Sequence, residues 1–221
     1  MKKVSDIHAI KIIFFITACY VGLWAIRIPT IKDQLQTDYV GVGYIMLSFA
    51  IGSIVAMIFA NALILKTSTK SILTCTLIAE GCLWLPVPFI QELWLFMVFS
   101  FVFGMSYGAF EIACNVYASN LEVREKKSMM SGFHAFWSLG VLFGSLITSF
   151  LLEWNYSFIF NILLYVIILL PLSLYFVLCL ESQVETKSED SSKKKYIFYL
   201  ALTDFFISIN CNGKCSNGRK C

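Results

Sequence analysis

The chain has 221 residues, 58% of them hydrophobic and 14% charged, and a net charge of +3; its mean hydropathy is +0.76. Water-soluble domains carry about 25% charged residues, and a soluble fold of this length has too little interior to hide so much apolar surface. A soluble domain is therefore excluded, and so small a net charge gives no reason to expect a nucleic-acid partner.

Six apolar segments follow in chain order, each long enough for the ~20 residues that cross a hydrocarbon core. The first runs from near Ile10 to Pro29 and the second, free of charge, from Val40 to Leu65. The third runs from Ser71 to Ile90 with Glu80 inside it, and the fourth from Leu93 to Asn120 with Glu111 inside it. The fifth runs from Ser128 to Leu152 with His134 near its start, and the sixth, uncharged, from Trp154 to Leu180. Strands of a membrane barrel would alternate over about ten residues. The expected fold class is thus an all-α integral membrane protein, a six-transmembrane-helix bundle. The start Met1-Lys2-Lys3 resembles a signal peptide, but the apolar stretch leads into Arg27-Ile28-Pro29 without a small-residue cleavage site, so the first helix is read as retained.

Residues 1–180 form the expected helical domain, and 181–195 a charged cytoplasmic linker. Hydrophobicity resumes over 196–209, around Asp204, as a partial seventh helix. At 1.5 Å per residue it covers about 21 Å, short of the ~30 Å core. Residues 210–221 form a polar tail.

Basic residues alternate in density. Lys2, Lys3, Lys11, Lys66, Lys70, Arg124, Lys126, Lys127, Lys187 and Lys193 to Lys195 fall on one side; Arg27 and Lys32 fall on the other. The positive-inside rule places the N-terminus in the cytoplasm of a bacterial inner membrane. Of the eight cysteines, Cys19, Cys75, Cys82, Cys114 and Cys179 lie in apolar runs, where they behave as small hydrophobes. Cys211, Cys215 and Cys221 lack a histidine and the usual metal spacing, so no metal site is expected.

Helix four carries the strongest polar signal. Gly104, Gly108, Glu111 and Asn115 fall on one face. The glycines permit close helix approach, and an intramembrane carboxylate belongs in the bundle interior or a wet cavity, where it suits proton binding. The alternative for Glu111 is a plain hydrogen bond to a neighbouring helix. Helix five aligns His134, Ser138, Ser145 and Thr148, with Gly140 and Gly144 beside them for packing. His134 suits a proton relay or substrate bond, or equally an interfacial or interhelical bond. Ser48, Gly52, Ala56 and Ala60 make a packing seam on helix two. On helix one, Arg27 is expected to snorkel to the outer interface, and Trp24 either stacks on a sugar ring or belongs to the membrane belt. Asn161 and Tyr165 form a polar pair on helix six, lining a cavity or bonding between helices. Glu80 is a weaker candidate than Glu111, because no polar stripe accompanies it on its own helix. No catalytic constellation and no phosphate loop is present, so no enzyme and no cofactor is expected.

Three stretches carry a family resemblance: Gly22 to Lys32 with Gly41-Val42-Gly43; Gly104 to Glu122; and Met130 with His134-Ala135-Phe136-Trp137-Ser138-Leu139-Gly140 and Gly144-Ser145. Over residues 10–206 the chain resembles the N-terminal half of a major facilitator superfamily transporter, of the bacterial branch related to fucose-type sugar permeases. The loop between helices two and three departs from the family's G-x-x-x-D-R-x-x-G-R. Lys66 and Lys70 keep basic positions, while Leu65 replaces the acid and Asn61 and Thr69 replace the glycines. The resemblance implies two six-helix halves with substrate at the midplane between them, of which this chain holds the first. Read one nucleotide forward, codons for Asn210 to Asn217 permit a segment resembling the branch's helix seven, so a frameshifted or truncated gene is expected.

The function so implied is secondary transport of a small solute, a sugar or related metabolite, with protons as the candidate coupling ion. The expected pathway residues are Glu111, Asn115, His134, Trp24, Ser138 and Asn161. The partners are the lipid bilayer, the solute, and either a missing C-terminal half or a second copy in a homodimer. Two rivals stand beside this: a non-transporting membrane fragment or assembly partner, and a half-size transporter working as a homodimer.

Overall fold

In a computed structural model, which describes residues 5–181 apart from the side chains of 60–63, 65 and 66, the chain forms six long α-helices. They are α1 (Asp6–Gln34), α2 (Tyr39–Lys66), α3 (Thr69–Trp84), α4 (Leu93–Glu125), α5 (Met130–Glu153) and α6 (Phe158–Cys179). All six carry a span long and apolar enough to cross a membrane. The seventh segment, the linker beyond Glu181 and the polar tail with its three cysteines lie outside the described residues.

Local chemistry sets the helix ends. Ser68 and Ser157 accept hydrogen bonds from the backbone N–H groups of Ser71 and Phe160, each at 3.1 Å, and so satisfy orphan donors at the starts of α3 and α6. At the end of α1, Gln36 takes a left-handed backbone (φ 48°). The N–H of Gln36 reaches Asp33 O and that of Thr37 reaches Lys32 O, a Schellman arrangement that satisfies the last carbonyls. Asn155 repeats the device after α5 (φ 57°), with Tyr156 N donating to Leu151 O. The third span is shorter as α-helix than hydropathy implies. Pro86 and Pro88 supply no backbone N–H, and the chain passes into a 3-10 turn over Val87–Phe89.

Two close helix pairs organise the bundle, α1 with α5 and α2 with α4, while α3 and α6 pack together and join the pairs from behind. Glycines set both crossings. A Cβ on Gly140 would collide with the carbonyl oxygen of Phe15, and one on Gly144 with that of Cys19. Across the other pair, a Cβ on Gly52 would meet Phe101 O, on Gly104 Phe49 O and on Gly108 Ser53 O. Backbones approach this closely only where a side chain is missing. Ser53 Oγ uses the proximity to donate to Gly104 O at 2.9 Å. Ser48, on the same helix, is half-buried.

The interior has two apolar clusters. One gathers Ile10, Leu73, Leu77, Tyr117, Leu121, Phe133 and Val177 near the end where α1 begins. The other gathers Leu23, Trp84, Phe96, Ile162 and Tyr165 toward the opposite end.

Candidate functional site: an aromatic cavity around Glu80

Beside the second cluster, α1, α2, α3 and α4 line a cavity of about 340 Å³, within the range of small-molecule sites. Its walls are aromatic. Tyr20 and Trp24 come from α1, Phe49 from α2, Trp84 from α3, and Phe99, Phe103 and Tyr107 from α4. The rings brace one another: Tyr20 stacks on Trp84 at 5.9 Å, and Trp84 meets Trp24 at 6.1 Å and Phe103 at 5.6 Å edge to face. Such offset and T-shaped contacts fix ring orientation as well as filling space.

Glu80 lies in this wall, only 6% exposed. Among the described residues its carboxyl has neither a hydrogen-bond nor a cationic partner. One turn along the same face is Trp84, whose indole Nε1 is also buried and unpartnered. The sequence ranked Glu80 behind Glu111 because α3 shows no polar stripe. Its companions Tyr20, Trp24, Ser100 and Tyr107 come from other helices, and no single-helix pattern could disclose them.

Glu111 is half-buried on α4 and lies within electrostatic range of His134 on α5. Tyr107, one turn before it, is within range of both Glu111 and Glu80 and lines the cavity. Glu111 itself is not among the residues that line the cavity. Asn115 continues the Glu111 face, and its Oδ1 is buried without a hydrogen-bond partner.

His134 is exposed, with its ring 5.8 Å from Phe14 edge to face. Ser138 is exposed too, and its hydroxyl is engaged by the His134 carbonyl at 3.1 Å. Trp24 is half-buried and lies in the cavity wall. Asn161 stands apart from the cavity, fully buried, and accepts from Arg27 Nε at 3.0 Å. Arg27 is a correction: it does not snorkel but is 2% exposed. Its Nη2 donates to Tyr156 O at 3.3 Å, and its guanidinium lies 5.4 Å from the Phe158 ring. Tyr165 likewise bonds between helices, donating to Gly144 O at 2.7 Å and meeting the Thr148 hydroxyl at 3.0 Å.

At the opposite end, charged residues tie helix termini together. Arg124 at the end of α4 pairs with Asp6 at the start of α1 (2.9 Å) and with Glu181 after α6 (3.4 Å). Glu122 accepts from the first N–H groups of α5, Met129 at 2.5 Å and Met130 at 2.7 Å. Lys70 donates to the carbonyls of Leu178 and Leu180, closing the C-terminus of α6. The Lys66 side chain lies outside the described ones. Among the described residues no group of three or more His, Cys, Asp or Glu is placed to hold a metal ion.

A family model for the Major Facilitator Superfamily matches residues 12–209. An uncharacterized MFS-type transporter of Yersinia pestis is 28% identical over 145 residues, covering 64% of this chain and 37% of the relative. An uncharacterized transporter of Sinorhizobium fredii is 25% identical over 141 residues, covering 60% of this chain and 35% of the relative. The matched part thus amounts to a little over a third of either relative's length. No solved structure matches significantly.

Proposed function

Because the chain belongs to the Major Facilitator Superfamily, we propose that it supplies the first six-helix half of a secondary transporter for a small solute. Membership points to transport rather than catalysis. The observation that carries the reading is the aromatic cavity with the Glu80 carboxyl in its wall, and Glu111 one turn beyond the lining Tyr107 on α4. A buried acid without a partner is costly in a bilayer interior, and such residues mark substrate or proton pathways.

In this reading Glu111 carries the coupling proton and His134 exchanges it, while the cavity holds part of the solute site. Alternating access needs a second six-helix body, so the half acts with a C-terminal half or with a second copy of itself. The membrane is the bacterial inner membrane, with the N-terminus cytoplasmic and the direction that of a permease working by symport. The sugar-permease resemblance makes a sugar or related metabolite the first solute class to test.

The experiment is uptake of a panel of labelled sugars and amines into proteoliposomes holding the 221-residue chain and a trapped pH dye. Solute-driven proton movement that Glu111→Gln abolishes, with solute counterflow retained, supports the reading. Uptake no greater than in empty vesicles for every solute overturns transport by this chain alone.

A further inference from the structure

The polar inventory of the cavity is short, and that identifies what fits it. The wall holds one carboxyl, Glu80, and one unpartnered donor, the Trp84 indole N–H, four residues apart on one face of α3. Of the two tyrosine hydroxyls, that of Tyr20 is engaged by the Tyr165 carbonyl at 3.3 Å. Ser100 adds a hydroxyl, and the other lining residues are Val21, Ala25, Ile28 and further apolar or aromatic side chains. The nearest cation along α1, Arg27, is turned toward Asn161 on α6 and does not line the cavity.

A sugar presents a hydroxyl on nearly every carbon. Each one buried without a partner costs roughly 1–3 kcal/mol, and the walls that this half contributes have too few groups to satisfy them. An organic cation has the opposite needs: apolar surface around a single positive charge. Aromatic faces attract that charge through their quadrupoles, and one carboxylate in a low-dielectric wall neutralises it.

We propose that the cavity is a binding site for a small organic cation, an amine or quaternary ammonium with an apolar substituent, whose charge sits between the Glu80 carboxylate and the rings of Trp24, Trp84 and Tyr20. The proposal deepens the transport reading and rests on it only for the claim that the ligand is cargo. The Glu80 carboxylate then has its counter-ion when the cation is bound.

The test is equilibrium binding to the full chain in lipid nanodiscs, read by tryptophan fluorescence, since Trp24 and Trp84 both face the cavity. The probes are benzyltrimethylammonium, its neutral carbon isostere neopentylbenzene, and fucose. The expected result is saturable quenching by the ammonium about tenfold or more tighter than by the isostere, with no displacement by fucose. Glu80→Gln should weaken the ammonium by a similar factor and leave the isostere unchanged, which shows the cavity still folded. Equal affinity for the charged and neutral probes, displacement by fucose, or an unaltered Glu80→Gln protein would each overturn the assignment. Ammonium binding without uptake defeats transport by this chain alone and leaves the ligand class standing; uptake of another solute without ammonium binding does the reverse.

Discussion

Arg27 on α1 donates from Nε to Oδ1 of Asn161 on α6 at 3.0 Å, and both residues are buried almost completely. No carboxylate pairs with the guanidinium among the described residues, so the Asn161 amide and the Tyr156 carbonyl carry its hydrogen bonding. Hydrogen bonds to a charged group contribute about 1.5–3 kcal/mol, and losing the acceptor leaves the buried cation short of one. Asn161→Leu is therefore expected to lower stability by about 2 kcal/mol or more, read as a fall in the thermal midpoint in detergent. Asn161→Asp keeps the acceptor and adds a charge, so its midpoint should stay at or above that of Asn161→Leu by a clear margin. If both variants match the parent, the pair contributes nothing.

The glycine crossings give the second expectation. Gly144 meets the Cys19 backbone and Gly140 the Phe15 backbone, with no flexible side chain able to yield. Gly132, on the same helix, has open space where a Cβ would stand. Gly144→Val should then cost about 1–3 kcal/mol through overpacking and push α5 off α1, while Gly132→Ala should be neutral or slightly stabilising through helix propensity. Denaturation of the purified protein distinguishes the two, and equal midpoints would refute the close approach at Gly144.

Sequence periodicity located all six spans, because hydrocarbon length and apolar composition are properties of one segment at a time. It also set Gly104, Gly108, Glu111 and Asn115 on one face of α4. Relationships between helices were hidden from it. Glu80 carried no companions in α3, yet its cavity is assembled from four helices. Arg27 read as interfacial because it stands among few charges near a helix end, while the acceptor that lets it stay buried is 134 positions away. Helix ends moved for local reasons: α1 begins at Asp6 and α4 runs to Glu125, past the apolar stretch, because paired charges hold their ends. α3 stops early at Trp84 because prolines follow.

The pairing of those ends leads to a third expectation. Asp6 is 5% exposed and accepts from both Arg124 Nη2 and the backbone N–H of Glu181 (3.3 Å), so it joins the start of α1 to the ends of α4 and α6. Asp6→Asn removes the charge from a bond whose other side, Arg124, is half in water, which limits the loss to about 1 kcal/mol. Asp6→Leu removes the acceptor from both donors and should cost more. Protease susceptibility at the start of α1 should rise in the same order, and unchanged proteolysis in Asp6→Leu would show that this tie does not hold the helix.

Orientation in the membrane follows from charge alone and is open to a direct test. Arg124, Lys126 and Lys127 crowd the α4–α5 connection, whereas the α3–α4 connection, 85–92, carries no basic residue. A bias of Lys and Arg in short connections sets which side stays in the cytoplasm. Gln91 and Lys127 are both exposed at these opposite ends. With Cys211, Cys215 and Cys221 replaced by serine, Gln91→Cys should react with a membrane-impermeant maleimide in intact cells. Lys127→Cys should react only after permeabilisation. The reverse pattern would invert the bundle and place the α3–α4 connection on the cytoplasmic side.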